Sequence, residues 1–149
     1  MRERGDRRHR EAGFTLLELL VVLMVLALLA GLVAPRVLGY LEGARRDAAA
    51  LQIRRLATAL EYFRLDAGRY PTAEEGLAAL VTRPAGVRRW NGPYIEGALP
   101  RDPWGRPYVY RTPAEGAPYE ILSLGADGAP GGEGEDADVS SLHLDDDAG

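Results

Sequence analysis

The pattern of apolar positions changes sharply along the chain. Residues 14–34 read FTLLELLVVLMVLALLAGLVA, apolar except for Thr15, Glu18 and the neutral Gly31. As a helix rising about 1.5 Å per residue, such a stretch covers roughly 32 Å, matching the ~30 Å of a bilayer's hydrocarbon core. From residue 35 to 65 the pattern becomes amphipathic. Val37, Leu41, Ala44, Ala48, Leu51, Ala59 or Leu60, and Phe63 recur at three- and four-residue steps, with Arg45, Arg46, Asp47, Arg54 and Arg55 mostly between them. Together these patterns predict one long helix, its first half suited to lipid and its second half lending an apolar stripe to a soluble core. Pro35 has no N–H and is expected to bend that helix where it leaves the membrane.

Gly68 ends the helical pattern. Thr72 with Glu75 three residues later fits a capping box and predicts a short helix over 73–81. Eight of the ten prolines fall between Pro84 and Pro130, so this half is expected to be loops and short strands. Tyr108-Val109-Tyr110 and Tyr119-Glu120-Ile121-Leu122 are the strand candidates, joined by a hairpin-like loop over 113–118. The expected fold class is α+β, a long N-terminal helix packed on a small antiparallel sheet. The expected divisions are a leader (1–13), a membrane helix (14–34), a soluble domain (35–141) and an acidic, disordered tail (142–149).

Composition narrows the function. The 149 residues allow one small domain plus one membrane-length segment. There is no Cys, which excludes disulfides and thiolate chemistry, and the two His lie at positions 9 and 143, outside the expected core. An enzyme is disfavoured for want of a nucleophile and base. The first thirteen residues hold five Arg and three acids; removing them from the totals of 18 and 22 leaves 13 Arg and 19 acids. That acidic remainder argues against a nucleic-acid partner, which needs clustered positive charge.

The Arg-rich flank precedes the apolar stretch, so the leader should stay cytoplasmic and the remainder emerge on the far side. A secretory signal peptide has the same basic outline, but Leu32-Val33-Ala34-Pro35 lacks its small-residue cleavage pair. A plain single-pass anchor is the other simple reading. Glu18 argues against both, because a carboxylate in a membrane helix costs about 2.5–3.5 kcal/mol near the bilayer centre and less near an end, and an anchor or signal peptide has no use for one. Cleavage before Phe14 would create a positive N-terminus close to Glu18, on the same chain or on a neighbour one step away in a helical assembly.

The string Gly13-Phe14-Thr15-Leu16-Leu17-Glu18, after a short basic leader and before a long apolar run, resembles the class III signal of type IV prepilins and pseudopilins. The resemblance implies that a membrane-embedded prepilin peptidase cuts after Gly13 and methylates Phe14, and that Glu18 serves assembly. Three further strings resemble the major (G-type) pseudopilins of the type II secretion system: Gly68-Arg69-Tyr70-Pro71-Thr72 with Glu75-Gly76-Leu77, Leu99-Pro100-Arg101-Asp102-Pro103-Trp104-Gly105-Arg106-Pro107-Tyr108, and Ser123-Leu124-Gly125-Ala126-Asp127-Gly128. What this implies is a type IV pilin-like fold and a homopolymer, the pseudopilus, that drives export of folded proteins across the outer membrane. Its partners would be minor pseudopilins and the inner-membrane assembly platform. The chain would sit in the inner membrane as a single-pass protein with its C-terminal domain in the periplasm. Trp104 and its prolines are expected to form a packed turn.

Residues 124–139 concentrate Asp127, Glu133, Glu135, Asp136 and Asp138 among glycines. Flexible backbone with carboxylate and carbonyl oxygens suits Ca2+, although the EF-hand spacing is not met, and spacing alone fits a solvated acidic loop equally well. The resemblance implies one structural Ca2+. Its side-chain ligands would be Asp127 and one or both of Asp136 and Asp138, completed by the carbonyls of Leu124 and Val139 and an oxygen of Ser140 or Ser141. Where relatives commonly place a Trp after this loop, Leu142-His143-Leu144 stands here, which leaves the choice between Asp136 and Asp138 open. Chelation should then lower the melting temperature of the soluble domain and impair polymerisation. Rival readings are a surface type IV pilus subunit, a membrane-anchored, Ca2+-dependent binding module that never polymerises, and, least supported, an extracellular hydrolase.

Overall fold

The computed structural model describes residues 13–144, without the side chains of 34–38. Most of the leader, residues 145–149 of the tail and the side-chain setting of the Pro35 bend therefore lie outside the described residues. Helix α1 runs Leu16–Ala67, and the chain divides into two compact units between Gly39 and Tyr40.

Within the N-terminal unit the helix begins at a cap that its sequence encodes. Thr15 precedes the first helical residue, and its Oγ1 accepts a hydrogen bond from the N–H of Glu18 at 3.2 Å. Glu18 thus occupies the first turn, where the helix dipole favours a negative charge. Leu16–Val33 is long and apolar enough to cross a membrane, and none of it is buried within the protein.

In the second unit α1 supplies one wall of the core. Ala49, Ile53, Leu56, Ala59, Leu60 and Phe63 are buried, a spacing of three, four and seven that keeps them on one face. Fully burying an Ile, Leu or Phe contributes about 1.5–3 kcal/mol. This corrects the phase expected from sequence. Leu41 and Leu51 are 51% and 50% exposed and Ala44 is exposed too: the buried stripe starts at Ala49 and Leu51 lies off its face, while Ala59, Leu60 and Phe63 are buried as expected. Consecutive alanines at 48–50 fit either face, and Ile53 and Leu56 decide which one turns inward.

Gly68, with φ +77°, ends α1. Both capping-box hydrogen bonds form: Thr72 N–H donates to Glu75 Oε2 at 2.9 Å, and Glu75 N–H to Thr72 Oγ1 at 3.2 Å. The helix expected over 73–81 is shorter. Residues 73–75 make a turn closed by Gly76 N–H donating to the Thr72 carbonyl, and a 3-10 helix follows over Gly76–Leu80. Gly76 has φ +55°, which an α-helix cannot pass through.

Strands β1 (Val109–Arg111) and β2 (Glu120–Ser123) pair antiparallel with Tyr110 opposite Ile121, one residue later than expected at each start. A third strand, β3 (Val139–Ser140), was not expected; it pairs antiparallel with β2, Val139 opposite Ser123. Ile121 and Val139 join the face formed by Ile53, Leu60 and Phe63. Of residues 142–144, assigned to the tail from sequence, Leu142 and His143 are exposed but Leu144 is packed. Leu144 lies against the core, and its carbonyl accepts from Arg54 Nη2 at 3.2 Å.

Candidate functional site

Two places hold the residues that sequence singled out. The first is the entry to α1. Gly13, Phe14 and Thr15 precede the helix in irregular backbone; all three are exposed, Phe14 by 84%. A Cβ at Gly13 would meet nothing within 4 Å. Gly13 and Phe14 thus stand exposed ahead of the helix. Among the described residues the Glu18 carboxylate accepts no hydrogen bond and pairs with no cation.

The second place is the loop between β2 and β3. Leu124 follows β2 directly, and its carbonyl accepts from Gly128 N–H at 3.1 Å, closing a turn over 124–128. Asp127 projects from that turn, exposed, its Oδ1 accepting from Ala129 N–H at 2.9 Å. The returning segment crosses this turn: Ala126 N–H donates to the Glu135 carbonyl at 2.9 Å, and a Cβ at either Gly125 or Gly132 would come within 2.6 Å of the Asp136 carbonyl oxygen. Only glycine permits that approach, and both glycines have positive φ.

The two aspartates whose roles sequence left open differ. Asp136 is exposed, and what it offers the loop's interior is its main chain. Asp138 is half-buried; its Oδ2 accepts from Gly131 N–H at 2.9 Å, while its Oδ1 is buried with no hydrogen-bond partner. An unpartnered buried carboxylate oxygen costs desolvation that a cation would offset. Val139 is buried in β3, and Ser140 Oγ donates to Glu120 at 2.6 Å. Ser141 ties into β2, its Oγ accepting from Ile121 N–H at 2.9 Å and its own N–H donating to the Ile121 carbonyl at 2.9 Å. Among the described residues no three His, Cys, Asp or Glu side chains come together, so a cation here would draw on one or two carboxylates and several main-chain oxygens. That mixed oxygen set fits Ca2+.

Two contacts of this loop escaped sequence reasoning. Glu135 forms an ion pair with Arg45 of α1, and Arg106 Nη1 donates to the Gly125 carbonyl at 2.9 Å. Charge alone flagged Arg45 and Glu135; pairing residues 90 apart needed the fold.

A family model for the type II secretion system (T2SS), protein G, matches residues 36–142, and one for the prokaryotic N-terminal methylation motif matches residues 8–34. The chain is similar to the type II secretion system core protein G of Pseudomonas aeruginosa, 41% identical over 138 residues, covering 91% of this chain and 97% of the relative. It is equally similar to that of Vibrio cholerae serotype O1, 41% identical over 143 residues, covering 94% and 97%. Among solved structures it resembles the major pseudopilin from the type 2 secretion system of enterohaemorrhagic Escherichia coli. That match has a TM-score of 0.61 at 35% identity, covering 70% of this chain and 91% of the other.

Proposed function

The chain belongs to the type II secretion system protein G family, and on that footing we propose that it is the main subunit of a pseudopilus. A prepilin peptidase removes residues 1–13 and methylates Phe14. The mature subunit waits in the inner membrane with its C-terminal domain in the periplasm. It polymerises through its N-terminal helix, working with minor pseudopilins and the inner-membrane assembly platform to drive folded proteins across the outer membrane. The observation that carries this reading is Glu18, a carboxylate in the first turn of a membrane-length helix and without a partner among the described residues. Cleavage at Gly13 creates the amine that gives it one.

The chain's part is structural: packing surface, the Glu18 pair and a rigid domain. A structural Ca2+ would be held by Asp138 and Asp127 with main-chain oxygens of Leu124, Asp136 and Val139, and by an oxygen of Ser140 or Ser141. It would supply a charge that ties the 124–128 turn to the strand after it. The Asp138 Oδ1 atom, buried without a hydrogen bond, favours Asp138 over the exposed Asp136 side chain.

The test is to produce the full chain in cells with a prepilin peptidase and the assembly platform, shear the surface and image the released fraction by electron microscopy. Fibres that react with antibody to this chain are expected. Processed subunits that stay wholly in the membrane fraction would contradict the proposal.

A further inference from the structure

Arg106 links the proline-rich turn to the acidic loop, and the turn is built around a buried acid. Asp102 is 4% exposed; its Oδ1 accepts from the N–H groups of Trp104 (3.1 Å) and Arg106 (2.7 Å), and its Oδ2 from Ser123 Oγ (2.7 Å). Asp102 N–H in turn donates to the Arg106 carbonyl at 2.8 Å, so both main-chain polar groups of Arg106 are fixed. From that backbone the guanidinium reaches the 124–128 turn. Nη1 bonds the Gly125 carbonyl, and the side chain lies so close over Gly128 that a Cβ there would stand 2.5 Å from Nε. Gly125 also presses against the main chain of Glu135 and Asp136. The guanidinium bonds a carbonyl rather than a carboxylate, which leaves Asp127, Asp136 and Asp138 available.

We infer that Arg106 is a positioning residue for divalent-cation binding by the acidic loop: anchored on the Asp102 turn, it holds residues 124–128 against 135–136, ordering the oxygens of both segments before the ion arrives. The inference rests on the cation reading proposed above. Groups that orient ligands from behind typically change metal affinity by about 10–100-fold when removed.

The experiment uses the full chain in detergent micelles. Thermal melts are followed by circular dichroism in EDTA and in Ca2+, and Ca2+ affinity is measured by titration calorimetry. The wild type is expected to melt higher in Ca2+. R106A should bind Ca2+ roughly 10–100-fold more weakly and lose most of the Ca2+-dependent rise in Tm, while its Tm in EDTA stays near that of the wild type. R106K, which keeps a donor and the charge, should recover most of the affinity. Unchanged Ca2+ affinity in R106A, or a Tm lowered equally with and without Ca2+, overturns the inference and leaves the cation reading standing. A wild type indifferent to Ca2+ overturns both. If R106A fails to fold, R106K and R106Q carry the comparison, and wild-type Ca2+ affinity in both overturns it.

Discussion

The chain uses the same four-residue pattern twice, at Thr15-Leu16-Leu17-Glu18 and at Thr72-Ala73-Glu74-Glu75, with different outcomes. In both, the Thr hydroxyl accepts from the N–H of the Glu at 3.2 Å. At the second, Glu75 also accepts from Thr72 N–H and takes both Nη atoms of Arg69 at 2.7 Å. The Arg69 fork, with the Thr72 bond, holds its carboxyl down to about 2 against the opposing effect of burial. Glu75 is consumed by the fold. Glu18 shares only the bond from its N–H to the Thr hydroxyl; among the described residues its carboxylate takes neither a reciprocal bond nor such a fork, and it sits among exposed leucines and valines. A capping box explains why a Glu is tolerated at a helix start; it does not explain why one is kept where lipid should lie. The difference supports the proposal that one Glu serves stability and the other assembly.

The largest expected effect breaks that comparison at its first member. E18A should abolish fibres and leave the thermal melt of the full chain in micelles unchanged, whereas E75Q should leave fibres at permissive temperature. Fibres from E18A, imaged as for the wild type, would remove the distinction.

Next in size is a test of which face of α1 is inward. Truncating the fully buried Ile53 to Ala should cost about 2–5 kcal/mol in denaturant unfolding, and the same change at the half-exposed Leu51 less than about 0.5 kcal/mol. Equal losses would restore the stripe that the sequence pattern alone suggested.

The smallest effect concerns the second box. E75Q should cost on the order of 1 kcal/mol at pH 7. Because the folded carboxyl titrates below its ordinary 4.5, this contribution is present above that pH and fades as pH falls from about 4.5 to about 2. Wild type and E75Q should therefore converge in stability across that window, as measured by urea unfolding at stepped pH. A constant gap would assign the loss to packing instead.

Much of this was legible from residues alone. The membrane-length run, the Gly13-Phe14 pair of the N-terminal methylation motif and the Glu18 offset are contiguous, and the hairpin strands carry runs of tyrosine and aliphatic side chains that chain chemistry reads locally. Thr15 was legible too, but an apolar run masks a cap that the same motif declares openly at Thr72. What stayed hidden depended on distance in sequence. Two residues, Val139 and Ser140, become a strand only because β2 offers an edge. Ala48 to Ala50 carry no phase of their own. Gly76 shortens the second helix by its φ, which the capping motif immediately before it, Thr72 to Glu75, does not announce. In the acidic loop, composition supplied the candidate ligands, but the difference between Asp136 and Asp138 lies in burial, and the grip of Arg106 lies in a turn 19 residues away.

The central claim is that processing converts a membrane protein into a polymer subunit by giving Glu18 a partner. Intact-mass and N-terminal peptide mass spectrometry of the chain extracted from membranes containing a prepilin peptidase tests it most directly. Loss of residues 1–13 with a methylated Phe14 is the predicted result, and an intact N-terminus would contradict it.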